Sequence, residues 1–297
     1  MEPDSPSPNH GKRLNRRNFV LGSAAALATA TVGIYAEGRA RHDIEVVEQT
    51  MRLRGLGTGF HGLRIVQISD LHLEEFSEPW YLADVVTRVN QLGPDIVLLT
   101  GDFISRGPVR SIAFSAMPVC AELLGGLECR ERYAILGNHD VAVNADFVVA
   151  ELARHNIPTL LDQHVALMRG GDHLWLAGVR DPGTQRPSLS HAVPAAPKAP
   201  VILLAHEPDY VDEVVRHPRA PLIHVMLSGH THGGQVRLPL IGPLILPPMG
   251  QKYVEGWFSV EPLRLYVNRG IGSVGVPFRF HCRPEITVFT LDGSMDL

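Results

Sequence analysis

Asp, Asn and His side chains recur in this chain at one kind of place, the end of an apolar run. The densest case is Gly229-His230-Thr231-His232-Gly233-Gly234-Gln235, which follows the apolar run Leu222 to Leu227. A strand that ends in two alternating histidines and turns on two glycines presents imidazoles at a sheet edge, close to the backbone. Four other runs end on Asp70 and His72, on Asp102, on Asn138 and His139, and on His206. Singly, each has a plain structural reading. Asp70 and Asp102 can cap helices, Asn138 can sit in a turn, and His206 can be a hydrogen-bonded core residue. Their shared position argues for a site, because the crevice beyond the carboxyl ends of strands is where α/β sheets bind ligands.

The donors are carboxylate, amide and imidazole, without thiolate. That set suits Mn, Fe, Zn, Co or Ni and not a structural zinc. Asp70, His72, Asp102, Asn138, His206, His230 and His232 exceed the needs of one ion. Two divalent metal ions about 3.5–4 Å apart, sharing one carboxylate, would use them all. Asp102 is the candidate bridge. Such a pair lowers the pKa of a bridging water and stabilises the charge of an in-line attack at phosphorus.

The elements that must position these groups follow from periodicity. Leu63 to Ser69, Ile96 to Thr100, Tyr133 to Leu136, Leu174 to Val179 and Val201 to Ala205 read as strands. Helical spacing covers Trp80 to Leu92, Ile112 to Leu124 and Asp146 to His155, with a short helix over Tyr210 to Arg216. Ile44 to Arg52 alternates as an edge strand does, and Leu263 to Val267 and Ile286 to Leu291 read as the last strands. Strand–helix alternation in the first half predicts an α/β fold with parallel pairings. The strand-dense second half predicts a second sheet packed on the first. No break divides residues 44–297, which read as one domain.

Of the 297 residues, 45% are hydrophobic and 20% charged, and the net charge is -4, so no basic field marks nucleic acid as a partner. Cys120, Cys129 and Cys282 are odd in number and form no Cys-x-x-Cys pair. They read as small buried hydrophobes, with a Cys120–Cys129 bridge as the alternative. Residues 1–43 read as a disordered start, a signal and a linker. Arg16 and Arg17, followed by Asn18, Phe19 and Val20, open an apolar run to about Ala36 and resemble a twin-arginine signal. The run of about 17 residues lies at the lower limit for a bilayer span. A cleaved signal and an uncleaved anchor both stay open. Either makes the twin-arginine export machinery a partner and puts the protein across, or on, a bacterial cytoplasmic membrane, in the periplasm or cell envelope.

Asp70-x-His72, Gly101-Asp102, Gly137-Asn138-His139-Asp140, the lone His206 and Gly229-His230-Thr231-His232 resemble the five blocks of the calcineurin-like metallophosphoesterases, in that family's order. The resemblance implies a four-layer α-β-β-α sandwich of two mixed sheets. It gives Asp70, His72, Asp102 and His232 to one metal, and Asp102, Asn138, His206 and His230 to the other. It turns His139 toward the substrate, to bind phosphate or protonate the leaving oxygen. The run after His230, with Asn268 to Gly272 and Phe278 to Glu285, is similar to a bacterial exported or membrane-associated subgroup. Some of its members are linked to cleaving the pyrophosphate of UDP-2,3-diacylglucosamine in lipid A biosynthesis.

The implied function is a bimetal-dependent phosphoester hydrolase of phosphodiesterase or pyrophosphatase type. Its reagent is a metal-bridging hydroxide and its substrate a phosphoester or pyrophosphate, extending to a lipid-linked one such as UDP-2,3-diacylglucosamine. The alternatives are a phosphomonoesterase and a non-catalytic metal-binding cell-envelope protein. The protein-phosphatase branch of the family has Gly-Asp-x-x-Asp-Arg-Gly, where the second Asp supports the catalytic histidine. Here Ser105 replaces it, which argues against a phosphoprotein phosphatase and leaves Asp140 as the candidate support for His139. Arg106 keeps the position of a phosphate-contacting arginine, or is a surface residue. Val236 to Met249 carries six large aliphatics among four prolines. Prolines exclude a central strand, so it reads as an apolar loop, packed on the core or serving as a wall for a greasy substrate or a membrane-contacting lip.

Overall fold

The computed structural model describes residues 40–107 and 110–293. The signal-like run before Ala40 lies outside them. Two mixed sheets pack face to face. The first has the order β1 (Glu45–Arg52), β13 (Glu285–Asp292), β2 (Arg64–Ile68), β3 (Ile96–Leu99) and β4 (Glu131–Ala134). Strands β2, β3 and β4 are parallel, with Ile65 opposite Ile96 and Leu98 opposite Tyr133. β13 inserts antiparallel to β2, and β1 runs parallel to β13 at the edge. The second sheet has the order β11 (Gly256–Val260), β12 (Leu263–Val267), β8 (Val225–Ser228), β7 (Val201–Leu204), β6 (Asp172–Gly178) and β5 (Gln163–Arg169). Its four inner strands are parallel and its outer two antiparallel.

Alternation along the strands builds three apolar layers. Ile65, Leu98, Leu176, Ile202, Leu204, Leu227 and Phe289 fill the space between the sheets. Val66, Ile68, Val97 and Leu99 face the other way, under α1 (Pro79–Gln91), α2 (Arg110–Gly125) and α3 (Asn138–Arg154). Val201, Leu203, Met226 and Leu265 face outward on the second sheet, under the one-turn helices α4 (Leu189–Ala192) and α5 (Val211–Val214). The result is the expected α-β-β-α order. Leu98 is fully buried in the inter-sheet layer, so Leu98→Ala should cost roughly 2–5 kcal/mol.

Parallel direction is what makes the site. β2, β3, β4, β7 and β8 all end at the same crevice, just before Asp70, Asp102, Asn138, His206 and His230 respectively. Beneath it, the buried Gln67 Nε2 donates to Thr100 Oγ1 and to the Ser228 carbonyl, both at 3.0 Å, tying the two sheets together.

Several expectations are corrected. α3 begins at Asn138 and not at Asp146. It is interrupted at Asn144 (φ -178°, ψ 105°), so a regular helical pattern is visible only beyond the break. Only Val225 to Ser228 is strand before His230, and Ala220–Leu222 is a 3-10 turn. β5 and β11, both sheet edges with mixed polarity, carry too weak an apolar pattern to read. The loop after His232 contains a two-strand ribbon, β9 (Arg237–Leu238) with β10 (Gly242–Pro243). All three cysteines are free, Cys120 and Cys282 buried, so the Cys120–Cys129 bridge is absent.

Candidate active site

Five of the seven candidate donors sit in left-handed backbone: Asp70 (φ 54°), His72 (46°), Asp102 (55°), His230 (72°) and His232 (51°). Such a conformation costs a non-glycine residue on the order of 1 kcal/mol or more and persists only where the surroundings over-determine it. Here they do. The Asp70 amide donates to the Gly101 carbonyl at 2.9 Å, and the His72 amide to the Asp102 carbonyl at 3.1 Å. The Asp70 carboxylate accepts the His230 amide at 3.0 Å. The buried Asp140 carboxylate accepts the amides of Asp102 (2.8 Å), Phe103 (2.9 Å) and Gly137 (3.0 Å). Asp140 thus holds the Asp102 turn against the start of α3 and does not support His139. At Gly137 a Cβ would collide with Asp102 Oδ1 and His206 Nε2, so only glycine admits this approach.

The donor atoms gather in two adjoining groups, and a third, His72, Asp102 and His139, shares a residue with each of them. Of the first two, one comprises Asp70, His72 and His232, and the other Asp102, His206 and His230, each within a 4.8 Å span. His72 Nε2 lies 3.0 Å from His232 Nε2 and 3.6 Å from Asp102 Oδ2. His232 Nε2 lies 3.5 Å from Asp70 Oδ1, and His206 Nε2 lies 3.2 Å from Asp102 Oδ2.

Hydrogen bonds set which ring nitrogen is presented. His206 Nδ1 donates to the Thr100 carbonyl at 2.7 Å, which turns Nε2 to the site. His230 Nε2 donates to the Pro248 carbonyl at 2.8 Å, which turns Nδ1 to the site. His72 Nδ1 lies 2.7 Å from Ser105 Oγ and donates there when Nε2 keeps its lone pair. Among the described residues, Asn138 Oδ1 and His230 Nδ1 are buried without a hydrogen-bond partner, and His206 Nε2 has only the Asp102 carboxylate, at 3.2 Å and without hydrogen-bond geometry. An unmade hydrogen bond on a buried polar atom costs about 1–3 kcal/mol, and native folds rarely tolerate it. His206 and His230 group with Asp102 within 4.8 Å, and Asn138 lines the same cavity, so a divalent cation fits as the partner these atoms lack.

The electrostatics agree. Burial pushes His72 down to about 3 and His230 to about 4, and burial followed by His72 holds His232 well below the usual range. These rings are neutral, as ligands must be. Burial raises Asp70 to about 6. Burial would also raise Asp102, but His206 and His139 outweigh it and hold the carboxylate well below its ordinary range. His206 is the counterpart: burial opposes its charge, yet Asp102 holds it well above the usual imidazole value. A proton on His206 and a cation beside Asp102 are therefore alternatives.

His139 stands at the edge of these groups. Its amide donates to Asp102 Oδ1 at 2.9 Å, and its ring meets that of His72 edge-on, centroids 4.9 Å apart. His139 Nδ1 accepts the Arg106 amide at 3.0 Å, so the ring proton sits on Nε2. The Arg106 side chain is exposed and does not line the cavity over the site. That cavity, of about 660 Å³, has a floor of His72, Asp102, Asn138, His139, His230 and His232. Its wall is apolar, formed by Val236, Leu244, Ile245, Val274, Val276 and Phe278.

Two supporting residues were missed in the sequence. Ser105 read only as a missing carboxylate, and its partner His72 is visible only in three dimensions. Arg279 is fully buried, with no carboxylate partner among the described residues. It donates to the carbonyls of Arg269, Gly270 and Gly272 and, at 3.2 Å, to His232 Nδ1. A lone arginine in a loop gives no sequence signal of such a role.

The profile of the calcineurin-like phosphoesterases matches residues 63–234, the span from β2 through the His-x-His turn. The chain belongs to this family. Relatives of this calcineurin-like phosphoesterase extend the match over nearly the whole chain. The uncharacterised metallophosphoesterase YkuE of Bacillus subtilis (strain 168) is 34% identical, over 95% of this chain and 99% of its own. The phosphodiesterase YaeI of Escherichia coli (strain K12) is 31% identical, over 94% and 99%. The UDP-2,3-diacylglucosamine pyrophosphatase LpxG of Chlamydia muridarum is 29% identical, over 77% and 83%. The protein is a metal-dependent phosphoester hydrolase.

Proposed function

We propose that this calcineurin-like phosphoesterase is a two-metal phosphodiesterase or pyrophosphatase acting on a lipid-linked substrate. Asp70, His72, Asp102 and His232 would hold one ion, and Asp102, Asn138, His206 and His230 the other. The observation that carries this reading is the grouping of His206 and His230 with Asp102 within 4.8 Å, with the unpartnered Asn138 Oδ1 on the floor of the same cavity. The donor set suits Mn, Fe, Zn, Co or Ni. Bound ions supply an activated water and neutralise charge at phosphorus.

The chain's own residues do the rest. The Thr100 and Pro248 carbonyls and Ser105 Oγ orient His206, His230 and His72. His139 Nε2 carries the proton for the leaving oxygen, its tautomer fixed by the Arg106 amide. Arg106 contributes through its backbone, and its exposed side chain is free to meet a large substrate at the rim.

A polar floor beside an apolar wall suits a phosphate with acyl chains close by. LpxG is named for UDP-2,3-diacylglucosamine, which makes that molecule the first candidate substrate. The Arg16-Arg17 run supports export through the twin-arginine machinery to the periplasm or cell envelope.

The test is turnover of UDP-2,3-diacylglucosamine, bis-p-nitrophenyl phosphate and p-nitrophenyl phosphate by metal-loaded protein. The two P–O–P or diester substrates should be cleaved well above the monoester. Preference for the monoester would make the protein a phosphomonoesterase instead.

A further inference from the structure

From Leu238 to Gly250, 13 consecutive residues carry no charged or hydrogen-bonding side chain. Burial does not explain this. Leu240 is 108% exposed, Ile245 82%, Ile241 71% and Leu244 52%. The turn even holds Leu240 at φ 67°, where glycine or asparagine is the usual residue. A large aliphatic is thus kept at the tip against backbone preference and in full contact with water.

We propose that the Leu238–Ile245 ribbon is a membrane-inserting lip that seats the mouth of the cavity on a lipid bilayer. The inference rests on the proposed function only in that this cavity is the one read as the phosphoester site. Leu244 and Ile245 belong both to the exposed ribbon and to the cavity wall, so the apolar surface is continuous from tip to floor.

Two observations favour a bilayer over a protein partner. Protein interfaces carry a polar rim and roughly one hydrogen bond per 100–200 Å², and this segment has no side chain able to make one. Its backbone is also suited to lipid. Four prolines remove amide donors, and the amides of Ile241 and Leu244 are used internally, on the carbonyls of Leu238 (3.2 Å) and Val236 (3.0 Å).

The chain's entry point adds a third. Arg41 donates to the Phe76 carbonyl at 2.6 Å and shares a shallow recess with Pro277, which lies between Val276 and Phe278 of the cavity wall. The apolar run of the sequence ends near Ala36, four residues before Ala40. Four residues span at most roughly 14 Å. A membrane holding that run would lie close to the same rim.

The test uses the full chain carrying Cys129→Ser, in which Cys120 and Cys282 are buried, and one added cysteine bearing an environment-sensitive fluorophore. The cysteine is Ile241→Cys, or Met168→Cys on the far edge strand β5, where Met168 is 60% exposed. Each protein is bound to vesicles of phosphatidylethanolamine and phosphatidylglycerol, with or without a quencher on the acyl chains. The label at 241 should shift to the blue and lose most of its emission to the quencher, and the label at 168 should do neither. Emission from 241 that stays water-like and unquenched overturns the lip. A blue shift without lipid that grows with protein concentration assigns the face to a second copy of the chain, and overturns it equally. Hydrolysis of bis-p-nitrophenyl phosphate by the same samples is a separate readout, so loss of catalysis and loss of docking are told apart.

Discussion

Both carboxylate oxygens of Asp70 accept the backbone amide of His230, each at 3.0 Å, across 160 positions of sequence. The end of β2 in one sheet is thereby fixed to the end of β8 in the other. The two groups of candidate donors share one frame, and the following outcomes depend on it.

His139→Ala should leave the metal content unchanged, because each ion keeps its full set of donors from Asp70, His72, Asp102, Asn138, His206, His230 and His232, although His139 also lies close to His72 and Asp102. Turnover on a substrate with a poor leaving group should fall roughly 10²–10⁴-fold, the usual contribution of a positioned proton donor. A substrate with a good leaving group should lose much less. Equal turnover of wild type and variant on the poor leaving group would remove His139 from the chemistry.

Ser105→Ala should weaken metal binding about 10–100-fold, the typical effect of removing a group that orients a ligand. It leaves His72 Nδ1 without its 2.7 Å partner. Ser105→Thr keeps the hydroxyl and should restore most of the affinity. Titration with Mn²⁺ followed by calorimetry checks both. Identical affinities across the three proteins would leave Ser105 without a role.

Metal affinity should depend on pH in a defined direction. Asp70, raised by burial to about 6, must be ionised to bind, and His206, held high by Asp102 against burial, must release a proton. Affinity should therefore fall as pH falls through about 6. For the metal-free fold the Asp70 contribution runs the other way. Between 3.8 and about 6 the native state keeps a proton that the unfolded chain has lost, so stability declines as pH rises through that window. The thermal shift on adding Mn²⁺ should thus grow as pH rises through 6. A shift that is the same on both sides of that pH would contradict the assignment of Asp70.

What could be read from the sequence has a physical pattern. Ile96 to Leu99 and Val201 to Leu204 are short runs buried on both faces, and their strands and the residues that follow them were legible. The α-β-β-α order followed from the family blocks. Edge strands such as β5 escaped notice because one face meets water and the pattern mixes. The start of α3 was hidden by the break at Asn144. Asp140 was read as a partner of its neighbour His139, and a side chain's direction on the first turn of a helix is not visible in spacing. The apolar stretch after His232 was conspicuous, but only the fold distinguishes Leu240, which is exposed, from a residue packed on the core.

Asp102 is the group on which the two-metal account turns, since one of its oxygens, Oδ2, lies 3.6 Å from His72 and 3.2 Å from His206, a ring of each donor group. The direct measurement is metal content per chain by elemental mass spectrometry, for wild type and Asp102→Ala, with circular dichroism to confirm that both are folded. Two ions per wild-type chain, and loss of both in the folded variant together with hydrolysis, is the predicted result. A folded Asp102→Ala protein that keeps two ions and full activity would contradict it.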